Sequence, residues 1–338
     1  MKLSTLLPER YPEFYRFNES IFPTRVSVPA RFRFQILDNP LLATKDAPDI
    51  AIVSEDDGTI VGQVILQPIE FHHDGSRARG FMGVDLFVKE SARNSRAGGA
   101  LAFKIVRAYS PFFCVTISDA AAKVFAVIGI RTVGTMRKFL WVRGLRGLAG
   151  LARSALGGKA RLRKVVAPGT VAVAGGSFRR AGLADVARIV QRPWPNGCLE
   201  LDRSPAFLAW RFFGVPDTYV IYVCDGDPSC FFVVRAASRR GLAVLSLVDY
   251  RTAPDRPEAF AAILRAVKRL ARAGGFDGVA TASSVAVFDA ALKRAWFFEV
   301  GSPVPVLANL PWDPQSLLVT MADADSDLRF DESGPIFG

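Results

Sequence analysis

One stretch limits the fold more than any other: Val84 to Leu101, V-D-L-F-V-K-E-S-A-R-N-S-R-A-G-G-A-L. Val84, Leu86, Phe87 and Val88 make an apolar, β-branched run that suits a buried strand. Leu101, Ile105, Val106 and Tyr109 recur at near-helical spacing. Strand, basic loop and helix therefore follow directly on one another. Gly98 and Gly99 stand where the helix opens, so main-chain N–H groups can converge on an anion there, the small residues allow close approach, and the helix dipole favours negative charge. A phosphate-bearing ligand is the reading these residues support.

The surrounding sequence supplies the rest of an α/β (α+β) unit. The run Ile50–Val53, the turn E-D-D-G and the run Ile60–Phe71 read as a hairpin, and H-H-D-G-S turns Arg77–Val88 back antiparallel into the glycine loop. Residues 1–25 read as one or two helices. After the loop helix, stopped by Ser110 and Pro111, Phe113–Ile117 reads as a short strand. The segment S-D-A-A-A-K-V-F-A-V-I-G-I-R-T-V-G then gives a capped helix with a glycine exit into another strand.

These two segments resemble the motifs of the Gcn5-related N-acetyltransferases. In that family a strand ending in a hydrophobic residue runs into an Arg/Gln-x-x-Gly-x-Gly/Ala loop. Arg93 takes the first position, Arg96 replaces the first glycine and Gly98 fills the last. The resemblance implies an acyl-CoA site: pyrophosphate on the loop formed by Arg93, Asn94, Ser95, Arg96, Ala97, Gly98 and Gly99, and pantetheine paired with the strand end at Phe87 and Val88. Asp119 and Phe125 belong to the second motif and are carried over as cofactor-binding positions. Phe125 occupies the place usually held by a tyrosine that protonates the leaving thiolate, and phenylalanine cannot do so.

From Phe34 to Pro40 and again from Trp210 to Pro216 the chain carries an aromatic residue six before a proline. After the second copy come a hairpin turning at D-G-D-P, a strand ending L-V-D-Y, a helix from Glu258 to Arg272 and a strand from Gly278 to Ala282. Shared order over so long a span reads as a duplication. The expected organisation is an N-terminal acyl-CoA-binding unit (1–142), a basic connector (143–165) and a diverged second unit (166–338), each a mixed, mostly antiparallel sheet flanked by helices. The second unit's loop, R-T-A-P-D-R-P, has two prolines and no glycine, so few amides are left for a phosphate. It reads as a substrate or structural half. Bacterial tandem acetyltransferase-like proteins, some associated with surface polysaccharide assembly, are similar in this arrangement.

Charge separates the two ends of the expected chemistry. Asp85, three residues before Val88, is the candidate general base or amine anchor, with Arg77, Arg79 and Arg93 as nearby salt-bridge partners in sequence; Glu70 and Asp119 are weaker alternates. Asp249 holds the matching place in the second copy. His72 and His73 read as surface turn residues pointing to opposite sides, so no metal is expected. The four cysteines read as reduced thiols.

The net charge is +11, and between Ala120 and Ala184 there are thirteen lysines and arginines and no acid. Glycines interrupt the leucine- and arginine-rich part of that stripe and lower its helix propensity, so a packed connector is favoured over an amphipathic anchor. A peripheral contact with an anionic membrane surface stays open, and no nucleic acid is expected. No apolar run reaches the ~18 residues of a membrane span or makes a signal core, which reads as cytoplasmic. The expected function is transfer of an acetyl or other acyl group from acyl-CoA to the amine of a small molecule or sugar precursor. The alternative is a non-catalytic protein that binds acyl-CoA or such a precursor.

Overall fold

The computed structural model describes residues 1–324 except 24–26, 43–47, 94, 116, 117, 157–162, 196, 240 and 254. In the first half the strands are β1 (Lys2–Thr5), β2 (Ile50–Ser54), β3 (Ile60–His73), β4 (Ser76–Val88), β5 (Phe112–Val115) and β6 (Arg131–Val142). The helices are α1 (Tyr11–Ile21), α2 (Val28–Phe32), α3 (Ala97–Ala108) and α4 (Asp119–Val127). Helix α5 (Gly144–Ala155) follows. The second half has β7 (Thr170–Val173), β8 (Gly176–Ala181), β9 (Cys198–Leu201), α6 (Pro205–Leu208), β10 (Val220–Cys224), β11 (Asp227–Arg239), β12 (Leu242–Arg251), α7 (Ala259–Ala273), β13 (Gly278–Ser283), α8 (Ala286–Arg294), β14 (Phe298–Glu299), β15 (Val304–Asn309) and β16 (Ser316–Leu318).

The expected α/β class holds: one mixed, mostly antiparallel sheet runs β1, β2, β3, β4, β5, β15, β6, β13, β12, β11, β10, β8, β7, with helices on its faces. The two halves exchange strands. From the second half, β15 enters between β5 and β6, pairing Val306 with Val115 on one side and Val304 with Met136 on the other. In return, the far end of β6 pairs with β13, from Gly278 opposite Val142 to Ser283 opposite Arg137, and with β14 at Leu140 and Phe139. Each half thus completes its sheet with a strand of the other, and a cut near residue 142 would leave both sheets short.

The three largest apolar clusters among the described residues hold the layers together. One lies under α3 and α4 (Leu101, Ile105, Phe112, Phe125), one under α7 and α8 (Phe260, Ile263, Val267, Phe288, Leu292), and one is shared by both halves around Phe14, Phe71, Leu199, Phe212 and Val306. The two aromatic-to-proline segments adopt the same form, a π-helical turn continuing a short helix at Arg33–Leu37 and at Ala209–Phe213. They meet across the junction: Trp210 stacks on Phe34 at 5.5 Å and its indole N–H donates to the Phe34 carbonyl at 2.7 Å.

The glycines of 143–165 do not prevent a helix. In α5, Gly147 and Gly150 form the docked face. A Cβ at Gly147 would lie 2.5 Å from the Asp277 carbonyl, and one at Gly150 would lie 2.7 Å from Leu242 Cδ2. Tight packing repays the propensity they cost.

Candidate functional site

The site grows from the way β4 and β5 part. Among the described residues they pair in parallel at two positions, Phe81 with Phe112 and Met82 with Phe113. Beyond Met82 the β4 register also breaks against β3, between the pairs Ile65–Val84 and Gln63–Phe87. Asp85 sits in this bulge with φ of 52°, a left-handed conformation that is strained for a residue with a side chain. The strands splay and leave a cavity of about 340 Å³, lined by Asp85, Leu86, Phe87 and Arg93 on one side and Cys114, Val115, Ser118 and Phe125 on the other.

Asp85 is buried, 8% exposed, and its carboxylate partner is Arg31 at 3.8 Å, from α2. This corrects the expectation that Arg77, Arg79 or Arg93 would serve. The reason is the bulge, which turns the carboxylate toward the helices. A chain of buried amides fixes this wall. Asn18 and Gln63 exchange hydrogen bonds at 2.9 and 3.0 Å, Gln63 Nε2 donates to the Asp85 carbonyl at 3.3 Å, Arg31 Nε donates to Gln35 at 3.3 Å, and Gln35 donates to Gln67 at 3.0 Å. These buried hydrogen bonds hold the backbone around the bulge in place.

Next to the cavity mouth, α3 opens. The Ala97 N–H is taken by the Ser95 hydroxyl at 3.2 Å, and Ala100 N–H bonds back to the Arg96 carbonyl at 2.9 Å. Gly98 and Gly99 lie between them in the first turn, where N–H groups have no intrahelical acceptor. A Cβ at Gly98 would meet only Val88 Cγ2 at 3.9 Å, and one at Gly99 would meet nothing within 4 Å. The space outside them is thus free for a ligand. Lys89, Arg93 and the exposed Arg96 add positive charge around this turn. Arg93 Nε reaches the Val88 carbonyl at 3.4 Å, and its guanidinium stands 6.0 Å from the Phe87 ring, which packs on Phe17 and Phe22. Asn94 and the Asp119 side chain lie outside the described residues.

Phe125 is buried against Phe112, with ring centroids 5.8 Å apart, and presents only ring carbon to the cavity. Burial pushes the Cys114 thiol well above its usual range, so it is no nucleophile. Sequence reasoning missed Ser118, whose Oγ caps α4 by accepting from Ala121 N–H at 3.2 Å while lining the same cavity. The polar cap before the helix was visible, but its position in the wedge depends on the splay.

His72 requires a correction. It is 2% exposed, because β9 pairs with β3 there, placing His72 opposite Glu200. Its Nε2 lies 3.2 Å from Glu70 and 3.5 Å from Asp202, whereas His73 turns the other way and stacks on Trp312 at 5.4 Å. Glu70, His72 and Asp202 each offer a ligand atom within 4.8 Å of the others, a set that could hold a metal ion. Burial raises the Asp202 carboxyl, but hydrogen bonds from His72 and Ser204 outweigh it and hold the pKa below the usual value. Glu70 thus belongs to this cluster and does not line the wedge cavity.

In the second half the equivalent wedge is filled. The strands β12 and β13 pair at four positions before parting, and Tyr250 then spans the gap, its hydroxyl donating to the Ala282 carbonyl at 3.0 Å. Phe260 and Phe288 pack on that ring at 4.6 and 5.3 Å, and Trp194 packs on Phe288 and donates from Nε1 to the Thr252 carbonyl at 3.3 Å. At the start of α7, the N–H groups of Ala259, Phe260 and Ala261 bond to the carbonyls of Arg256, Pro257 and Glu258. Asp249 is fully buried between Arg203 (2.6 Å) and Arg251 (2.9 Å), with Asp323 on Arg203 at 2.6 Å.

No protein-family model matches the sequence, and no curated protein matches it. Solved structures do. A conserved Enterococcus faecalis V583 protein of unknown function, a probable N-acyltransferase, aligns with a TM-score of 0.61 at 12% identity over 91% of this chain and 72% of its own. A GCN5-related N-acetyltransferase from Anabaena variabilis ATCC 29413 aligns at 0.59 with 13% identity over 91% and 72%. Saccharomyces cerevisiae N-myristoyltransferase with bound myristoyl-CoA aligns at 0.57 with 13% identity over 91% and 82%. The chain therefore has the fold of the GCN5-related N-acetyltransferases across most of its length.

Proposed function

We propose that this chain is an acyl-CoA-dependent N-acyltransferase whose first half holds the donor. The observation that carries the reading is the coincidence of an open strand wedge, a buried carboxylate at its bulge and the uncovered first turn of α3 in one half of the molecule. The amides of Gly98 and Gly99, with Arg93 and Arg96, suit the diphosphate of acetyl-CoA or another acyl-CoA. The end of β4 at Phe87 and Val88 suits its pantetheine arm, and the wedge suits the thioester. In the structural neighbour that binds myristoyl-CoA, the same fold holds an acyl-CoA.

Transfer then needs a neutral amine. Asp85 removes or anchors its proton, the amine nitrogen attacks the thioester carbonyl, the C–N bond forms and the C–S bond breaks. Phe125 has no proton to give, so the thiolate takes one from water or from the protonated nitrogen of the tetrahedral intermediate, which stays behind as the amide, with the Ser118 hydroxyl placed to donate a hydrogen bond to sulfur. The acceptor, an amine on a small molecule or sugar precursor, enters between the halves, and the second half shapes its pocket. The halves are diverged copies of one unit, acting in the cytoplasm.

A second reading has its own support: Arg31 already pairs with Asp85, and Phe125 replaces the usual acid, as in a protein that binds acyl-CoA without turning it over. Calorimetric titration with acetyl-CoA, followed by thiol release across a panel of amines, separates the two. Binding with thiol release on one amine class supports transfer. Binding without release on any amine leaves the binding protein, and absence of binding removes both.

A further inference from the structure

Helix α5 turns its apolar side away from the protein. Gly147 and Gly150 are buried against Asp277 and Leu242, and Arg153 on the same flank is held by Asp277 at 3.1 Å. The opposite side carries Leu145, Leu148, Ala149, Ala152, Ala155 and Leu156. The leucines there are 86%, 56% and 88% exposed, and Leu151 at the margin is 38% exposed. A solvent-facing stripe of leucine and alanine with no polar residue in it is unusual for a soluble surface and is costly unless covered.

Its setting is basic. Lys138 is exposed on the face of β6 that also carries Leu140 and Val142, and Val142 packs where Gly147 docks. Beyond the helix the sequence continues with Lys159, Arg161, Arg163 and Lys164, and no acid occurs between Ala120 and Ala184. A protein partner would need a matching apolar groove with an acidic rim. An anionic lipid leaflet offers both features together, hydrocarbon for the leucines and headgroup charge for the flanking cations.

From this placement we infer that α5 is an in-plane membrane-binding helix, seating the molecule on anionic lipid with Leu145, Leu148 and Leu156 inserted. No described helix is long and apolar enough to cross a membrane, so the contact is peripheral. The inference does not depend on acyl transfer.

Flotation of the full chain with phosphatidylcholine vesicles, alone and mixed with phosphatidylglycerol, tests it. The wild type should float with the mixed vesicles and lose about 10-fold or more in partitioning on pure phosphatidylcholine or at high salt. The triple variant L145N/L148N/L156N should lose about 100-fold with its melting temperature unchanged, since these side chains touch little of the fold. Leu145→Trp keeps the face apolar and should show a blue-shifted emission, relative to wild type, only with phosphatidylglycerol present. Wild-type protein that stays unbound, a triple variant that floats like wild type, or an unshifted Leu145→Trp would each overturn the inference. So would a wild-type dimer that the triple variant dissolves without any vesicle binding, because the face would then belong to a second copy.

Discussion

From their π-helical turns onward the two halves run through a similar order of strands and helices, but they differ at the place where the parallel strands part. In the first half, a bulge at Asp85 and two pairs between β4 and β5 leave a cavity of about 340 Å³ beside two glycines at the start of α3. In the second, the bulge falls at Val248, between the pairs Val234–Leu247 and Val233–Asp249, and the gap beyond is closed by Tyr250, Phe260, Phe288 and Trp194. The carboxylate in the first bulge and the one just after the second differ in the same way. Asp85 lies 3.8 Å from Arg31, while Asp249 is locked by Arg203 and Arg251 with Thr320 donating at 2.8 Å. One splay is left open as a cavity and the other is packed as core, so the parting strands of this fold can leave either a cavity or a filled wedge.

Substitutions should separate those outcomes. Asp249→Ala strands two buried guanidinium groups and should cost about 3–5 kcal/mol of stability in denaturant unfolding. Asp85→Asn should change stability much less yet lower turnover by about 10²-fold or more once an acceptor is known, with CoA affinity little altered. Equal stability losses at the two aspartates would break the comparison. Phe288→Ala should likewise cost about 3–5 kcal/mol, because it empties a filled wedge; Phe125→Ala, beside an existing cavity, should cost less.

The acid dependence follows from the same contrast. Burial raises the Asp249 carboxyl, but Arg203 and Arg251 outweigh it, so its folded-state pKa is lowered. Its stabilisation is then fully present above the unfolded value of about 3.9 and is lost as pH falls through the folded value. The melting temperature of wild type should fall along that limb, and Asp249→Asn should flatten it. Smaller still, Ser118→Ala should lower turnover by about 10-fold and stability by ~1 kcal/mol as a lost cap.

The strand from Val84 to Val88, the glycine turn and α3 were legible because their signals are local, as were the hairpins around Glu55 and Asp74. The exchange of β6 and β15 was not, since Val304–Asn309 pairs with partners more than 160 residues away and looks like any short strand. The burial of His72 was hidden for the same reason: β9, which covers it, lies far along the chain. Arg31, the partner of Asp85, sits in an R-F-R-F repeat with nothing to mark it, and only the bulge brings the two together. Glycine in α5 misled in the opposite direction, because propensity does not report which face will dock.

Titration of the full chain with acetyl-CoA, with Gly98→Val beside wild type, tests the central claim most directly. The account predicts one site per chain and a binding loss of about 10-fold or more in Gly98→Val, whose added Cβ has room in the protein itself. Two sites per chain, or equal affinity in the variant, would contradict the division of the molecule into an open half and a filled one.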